Sequence, residues 1–167
     1  MEKMMLNPSY AARRELFDFL EHKHLPLTED GDFLAYKAVK HNYADKWSGS
    51  YDNSVGTVAK MQRFSVDDDR NNGCSAGLHA GTLEYVQSYG SFHDSPESDK
   101  VIIVKISPEN VVSVPHCSDC QKLRTCEYTV VRDYEGVMEY NLYMDDGEEW
   151  RYEEEDEYAD LGDPQWN

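Results

Sequence analysis

The sequence predicts an α+β domain: a small mixed or antiparallel sheet with an N-terminal helix and one short central helix. Three observations carry that expectation. Lys100–Ile106 reads Lys-Val-Ile-Ile-Val-Lys-Ile and is apolar on both faces, as a central strand is. Tyr10, Arg13, Phe17 and Leu20, with Leu16 and Phe19, form a face at helical spacing behind a capping signal. The strand-like segments lie in one connected β-rich centre flanked by two helical ones, and 167 residues with 40% hydrophobic content suffice for one modest core.

The elements follow in order. Asn7-Pro8-Ser9 supplies a cap and a first-turn proline, and Pro26 is expected to end the helix. Thr28–Asp32 is a turn, after which Phe33–Val39 favours extended structure through its aromatic and β-branched residues. Asp52–Gly56 turns again, Thr57–Phe64 reads as a short strand, and Val66–Gly73 as a polar loop. Cys74–His79 is a compact apolar turn. Thr82 then caps a helix through Tyr89, with Gly90 as its stop. After a polar loop with Pro96 come Lys100–Ile106, a second strand at Val111–Val114, a loop over 115–120 and a third strand at Leu123–Val131. The strand 101–106 is also one that can lie at a dimer edge.

Charge divides the chain. Acids number 33 and bases 16, for a net charge of −17. From Asp133 onward fourteen acids face one base, Arg151, so that segment carries −13 and the first 132 residues only −4. The expected organisation is a folded domain over 1–132 and an acidic, aromatic-containing C-terminal segment over 133–167. Such a surface repels nucleic acid and anionic membranes, and favours a partner with a basic surface. No run of 18 apolar residues is present and the first residues lack a signal-peptide core, so no membrane insertion is expected and the chain is read as cytosolic. Four cysteines in that compartment read as thiols or metal ligands rather than disulfides.

Four groups of residues could carry chemistry. Cys74 and His79 could form a thiolate pair or supply two metal ligands; the plainer reading is a small buried thiol and a satisfied histidine. His116, Cys117, Cys120 and Cys126 could bind zinc, with Cys74 as a further ligand, or could be ordinary thiols in a loop and a strand. Tyr36 and Lys37, with Lys122 and Arg124, could converge into a positive pocket for a phosphate or nucleotide, or could simply balance nearby acids. In the acidic segment, Trp150, Tyr152, Glu153, Glu154, Glu155, Asp156 and Tyr158 could fill a basic groove of a partner in the manner of a DNA backbone, or could only keep the chain soluble. There is no Walker loop, GxGxxG, HExxH or GxSxG.

A succession of motifs is more specific than any of these. Gly31-Asp-Phe-Leu-Ala-Tyr-Lys37, Tyr51–Gly56, Cys74-Ser-Ala-Gly-Leu-His79-Ala-Gly, Tyr85-Val, Val101–Pro115, Gln121-Lys-Leu-Arg124 and Tyr128-Thr-Val-Val occur in the order and spacing of the rIIB-like proteins of tailed phages. The chain resembles that family from about Leu25 to Val131. The His116–Cys120 stretch and the acidic end stand apart from the family pattern. More loosely, a Tyr-Lys strand, a Gly-Leu-His turn, a helix and a Val-rich strand are similar to small ADP-ribosyltransferase-like folds, in which a histidine or tyrosine positions NAD and a glutamate supports catalysis.

The resemblance implies a phage protein acting in the cytoplasm of an infected bacterium. The first functional expectation is a non-enzymatic inhibitor of a host protein, a defence component or a nucleic-acid enzyme, bound through the acidic segment without cofactor. The second is a nucleotide-binding or ADP-ribosyltransferase-like domain, including capture of a nucleotide signal, lined by Tyr36, Lys37, Cys74, His79, Tyr85 and Arg124. The third is an accessory protein of lysis timing, since the family is linked to lysis control and to escape from prophage-encoded exclusion.

Overall fold

The structure, a computed structural model, describes residues 2–136. Its architecture is α+β, as the sequence predicts. The helices are α1 (Glu2–Met5), α2 (Tyr10–Lys23), α3 (Leu83–Tyr89) and α4 (Cys117–Cys120). The strands are β1 (Phe33–Val39), β2 (Val58–Lys60), β3 (Leu78–Gly81), β4 (Lys100–Ile106), β5 (Val111–Ser113), β6 (Lys122–Thr125) and β7 (Glu127–Asp133). All seven strands join one sheet in the order β2-β7-β4-β1-β3-β6-β5, with every neighbouring pair antiparallel.

That order contains a closure. β6 and β7 are separated only by Cys126, yet β6 lies beside β3 and β7 beside β4, with β1 between β3 and β4. One extended run thus borders the β4-β1-β3 centre on both sides, and the sheet must curl round to meet it. Sequence reading expected a single strand over Leu123–Val131. The break falls at Cys126, whose amide donates to Asn110 O and whose carbonyl accepts from the Met61 amide. Here the run leaves one partner set and joins the other.

The core fills the curl. Phe33, Ala35 and Val39 of β1, Ile102, Val104 and Ile106 of β4, Leu123 of β6, and Tyr128 and Val130 of β7 pack together with Leu16 and Phe19 of α2. On the opposite side of β1 and β4, Leu34 and Ile103 pack with Tyr36, Val131 and Tyr134. β4 is therefore buried on both faces, and pairing with β1 and β7 leaves it no free edge for a dimer. Tyr134 packs on Tyr36 with ring centroids 5.3 Å apart, so the folded part continues past the expected boundary at 132.

Helix α2 starts at Tyr10 with Ser9 as its cap, Ser9 Oγ accepting from the Ala12 amide at 3.1 Å, so Pro8 precedes the cap and is not in the first turn. Its buried face is Ala12, Glu15, Leu16 and Phe19, while Tyr10 and Phe17 are exposed. The apolar count put the aromatics inward; the observed phase follows the small Ala12 and the carboxylate of Glu15. That carboxylate accepts from the Val114 amide at 2.8 Å, just beyond edge strand β5. Asn7 Nδ2 donates to Pro108 O and Val111 O beside it. Polar side chains thus satisfy the outer edge of β5, a surface that otherwise invites pairing with another chain. The helix ends at Lys23 with His24 in the left-handed region, two residues ahead of Pro26. The thiol loop contains α4, and α1 precedes the capping signal; neither short helix is expected from the sequence.

Arg124 is fully buried. Its Nε donates to Ser113 Oγ at 2.9 Å, and its terminal nitrogens to Asn72 O at 2.6 Å and Asp69 O at 2.7 Å. It ties the 67–76 loop to β5 and β6, satisfying carbonyls that no strand reaches. Replacing Arg124 by Met keeps much of the apolar stem but orphans these acceptors. We expect Arg124→Met to lower unfolding free energy by roughly 3 kcal/mol, read as a lower urea midpoint with an unchanged slope.

Candidate functional site

A cavity of about 270 Å³ opens beside β3. Its wall includes Lys37 of β1, Leu78 and His79 of β3, Tyr85 and Tyr89 of α3, Lys122 of β6 and Tyr128 of β7. Two loops complete it: Asp45, Lys46, Trp47, Ser48 and Tyr51 on one side, Cys74–Gly77 on the other. Thr82 Oγ1 accepts from the Tyr85 amide and starts α3 at the end of β3, which sets its tyrosines over the opening. The approach is close. A Cβ on Gly81 would stand 2.3 Å from Gln121 O, so only glycine lets β3 run into the Thr82–Gln121 backbone bond.

The wall is cationic and aromatic. Lys37 lies on the core-facing side of β1, in alternation with Ala35 and Val39, and its Nζ donates to His79 O at 2.7 Å. Burial pulls its pKa down to about 8, against an opposing pull from the Asp45 carboxylate. The same Nζ stands 5.6 Å from the centre of the Tyr128 ring. Lys122 is buried and its Nζ lies 5.7 Å from the centre of the Tyr85 ring. Lys46 pairs with Asp99 and stands over Tyr89. Tyr85 and Tyr89 present nearly parallel rings, 13° between planes and 5.9 Å between centroids. Burial pushes the Tyr85 phenol up to about 12, so it stays protonated.

Asp45 organises the rim. Burial raises its pKa, but the amides of Ser48 at 2.6 Å and Tyr51 at 2.8 Å, with Ser48 Oγ, outweigh that effect and hold it at about 2. These bonds fold the loop so that Trp47 stands at the mouth, 81% exposed.

The residues expected to share a pocket separate in part. Lys37, Cys74, His79 and Tyr85 line the cavity, as does Lys122. Tyr36 faces the other side of β1, against Tyr134, because alternation along a strand sends neighbours to opposite faces. Arg124 is consumed by the loop bonds described above and does not line the cavity; it holds the segment that leads to Cys74. The cavity also uses Asp45, Lys46, Trp47, Tyr51, Tyr89 and Tyr128, which sequence reading did not single out. A signal was present: 40–57 is a long, turn-rich connection carrying a tryptophan beside a lysine.

The cysteine set does not gather. Cys120 Sγ approaches only the carbonyl of His116, at 3.9 Å, while Cys126 is buried with Val66 and Val112 and approaches Asn110 Oδ1 at 3.8 Å. Among the described residues no group of three or more His, Cys, Asp or Glu side chains is placed to hold a metal ion. These residues do not fit the zinc site that their spacing suggested. Trp150, Tyr152, Glu153, Glu154, Glu155, Asp156 and Tyr158 lie outside the described residues. No helix among the described residues is long and apolar enough to cross a membrane.

His79 has the most displaced equilibrium in the cavity. Burial first, then the charges of Lys37, Lys122 and Arg124, pull its pKa from 6.5 to about 3, and its buried Nε2 has no hydrogen-bond partner among the described residues. The unfolded chain takes up this proton near pH 6.5 and the folded chain only near 3, so stability present above 6.5 is lost as pH falls through that window. We expect the urea midpoint to drop between these values, and His79→Gln to flatten the drop. Parallel curves for the two proteins would overturn the assignment.

The sheet and cavity have a counterpart in known sequences. A family model described as Bacteriophage T4 protein rIIB matches residues 1–137. Protein rIIB of Enterobacteria phage T4 is 43% identical over 133 residues, which cover 80% of this chain and 41% of that relative. The chain thus spans less than half the length of the curated relative it matches. No solved structure matches. The family match runs from α1 through β7 and takes in every strand and every wall of the cavity: the chain belongs to the bacteriophage T4 rIIB protein family.

Proposed function

We propose that this domain captures a small anionic ligand with a flat ring, of the nucleotide class, without turning it over. The observation that carries this reading is the pair Lys37 and Lys122. Neither forms a salt bridge among the described residues, although the chain has a net charge of −17 and acids to spare. A cation removed from water without a counter-charge is costly. An anion entering the cavity supplies it. His79 Nε2 is a second unpaired polar group in the wall, and the Tyr85–Tyr89 pair with Trp47 offers stacking surfaces. Base stacking on such rings contributes about 1–3 kcal/mol per base. No glutamate among the described residues lines the cavity, which favours capture over an ADP-ribosyl transfer.

A second reading rests on the sequence of the acidic segment. We propose that its charge and aromatics bind a basic surface of a host protein, inhibiting a defence component or nucleic-acid enzyme in the cytoplasm of the infected bacterium. The −13 concentrated after residue 132 supports this. Action on lysis timing is compatible with either mode of binding.

The two readings separate by experiment on the full chain. Calorimetric titration with ADP, ADP-ribose, NAD and cyclic nucleotides is expected to show binding by at least one of them. Tyr85→Ala and Lys122→Met should each weaken it on the order of tenfold. No heat and no thermal shift from any of them at millimolar concentration would overturn capture. Neutralising Glu153, Glu154, Glu155 and Asp156 to Gln and Asn should leave that titration unchanged. It should also release a host protein that wild type retains at low salt and loses at high salt. Equal retention by both proteins would overturn the second reading.

A further inference from the structure

The cavity holds an amine whose surroundings suit covalent chemistry. Lys37 Nζ is seated on the core-facing side of β1, has a neutral carbonyl as its hydrogen-bond acceptor and an aromatic face beside it, and yet borders the open cavity. The ionisable groups sharing that cavity do not neutralise it. Asp45 and Tyr51 come from the 40–57 loop, His79 from β3, Tyr85 and Tyr89 from α3, Lys122 from β6 and Tyr128 from β7, with Lys46 at the mouth and Cys74 opposite. The Asp45 oxygens are occupied by Ser48 and Tyr51. Tyr128 is held protonated by burial. Lys122 and His79 add positive charge and a neutral imidazole rather than an anion.

We propose that Lys37 is a carbonyl-reactive lysine that forms an imine with an aldehyde or ketone carrying an anionic group, the anion resting on Lys122. In the step, the Nζ lone pair adds to the carbonyl carbon and the π electrons move to oxygen. The carbinolamine then loses that oxygen as water together with the two amine hydrogens, and a C=N bond remains. Nothing is oxidised or reduced. Burial is what supplies the nucleophile. With its pKa pulled to about 8 from 10.5, a far larger fraction of Lys37 is the free amine near neutrality than of an exposed lysine. The inference shares the cavity with nucleotide capture but does not depend on it, since the anionic group need not belong to a nucleotide.

The test uses pyridoxal 5′-phosphate on the full chain, followed by borohydride reduction and peptide mapping. At substoichiometric probe and about pH 7.5, Lys37 is expected to carry on the order of tenfold more label than any other of the nine lysines. Its labelling should level off above pH 8, while that of a free lysine side chain in solution keeps rising toward about 10.4. Lys122→Met, which keeps the Lys37 amine, should cut labelling by the phosphorylated probe several-fold and leave labelling by pyridoxal unchanged. Label spread over exposed lysines, or a Lys37 profile parallel to theirs, would overturn the proposal. If ADP binds and Lys37 stays unlabelled, this inference falls and capture stands. If Lys37 labels and no nucleotide binds or protects it, capture falls and this inference stands.

Discussion

The segment from Lys122 to Asp133 sits beside β3 with its first half and beside β4 with its second, and nearly everything else in the domain is arranged around that double contact. The change of partners takes place at Cys126, where Asn110 and Met61 take up the backbone groups released by the neighbouring strands. Because the run is anchored at both sides of β1, the curvature of the sheet is determined, and the core from α2 to β7 fits inside it. Arg124 projects from this same run into the 67–76 loop. The cavity lies where that loop, the 40–57 loop and α3 meet the curled sheet, so its wall draws on residues far apart in the chain.

How much of this could be read from the sequence follows from the range of the interactions. β1 and β4 were legible to the residue, because both are long and their apolar content is local. The caps at Ser9 and Thr82 were legible for the same reason. The face of α2 was not, since its phase depends on Glu15 reaching the Val114 amide across 99 residues. The split at Cys126 was not, since nothing in Leu123–Val131 announces a change of partners. In the cavity, Lys37, His79, Tyr85 and Lys122 were picked out as scarce cations and ring-bearing residues. Tyr36 joins them as the neighbour of Lys37, and Arg124 belongs to the same scarce cations. In the fold, strand alternation turns the first away, and buried carbonyls claim the second.

Electrostatically the domain works against its own composition. An acidic chain would be expected to quench its few bases, and in part it does: Lys3 meets Asp32, and Lys46 at the cavity mouth meets Asp99. Of the described acids, Asp45 lines the cavity and is already engaged by backbone amides, and Asp67, outside it, is engaged by Ser75 and Asn72. Screening confines the influence of more distant carboxylates, with a Debye length of about 8 Å at physiological ionic strength. The field of Lys37, Lys122 and Arg124 thus adds to burial, the larger cause, in keeping His79 neutral.

The closing run also dictates an order of assembly. β1 emerges early in synthesis, but β3, β4 and the two halves of the run that borders them follow much later in the chain. Pairings of such long sequence separation are slow to form, because loop closure must precede the contacts that reward it. Until residue 133 has left the ribosome, β3 and β4 each lack one neighbour and the apolar face of β1 has no roof. From the emergence of β4 until that of residue 133 the nascent sheet therefore has bare edges, and it becomes a closed body when a single twelve-residue stretch is delivered.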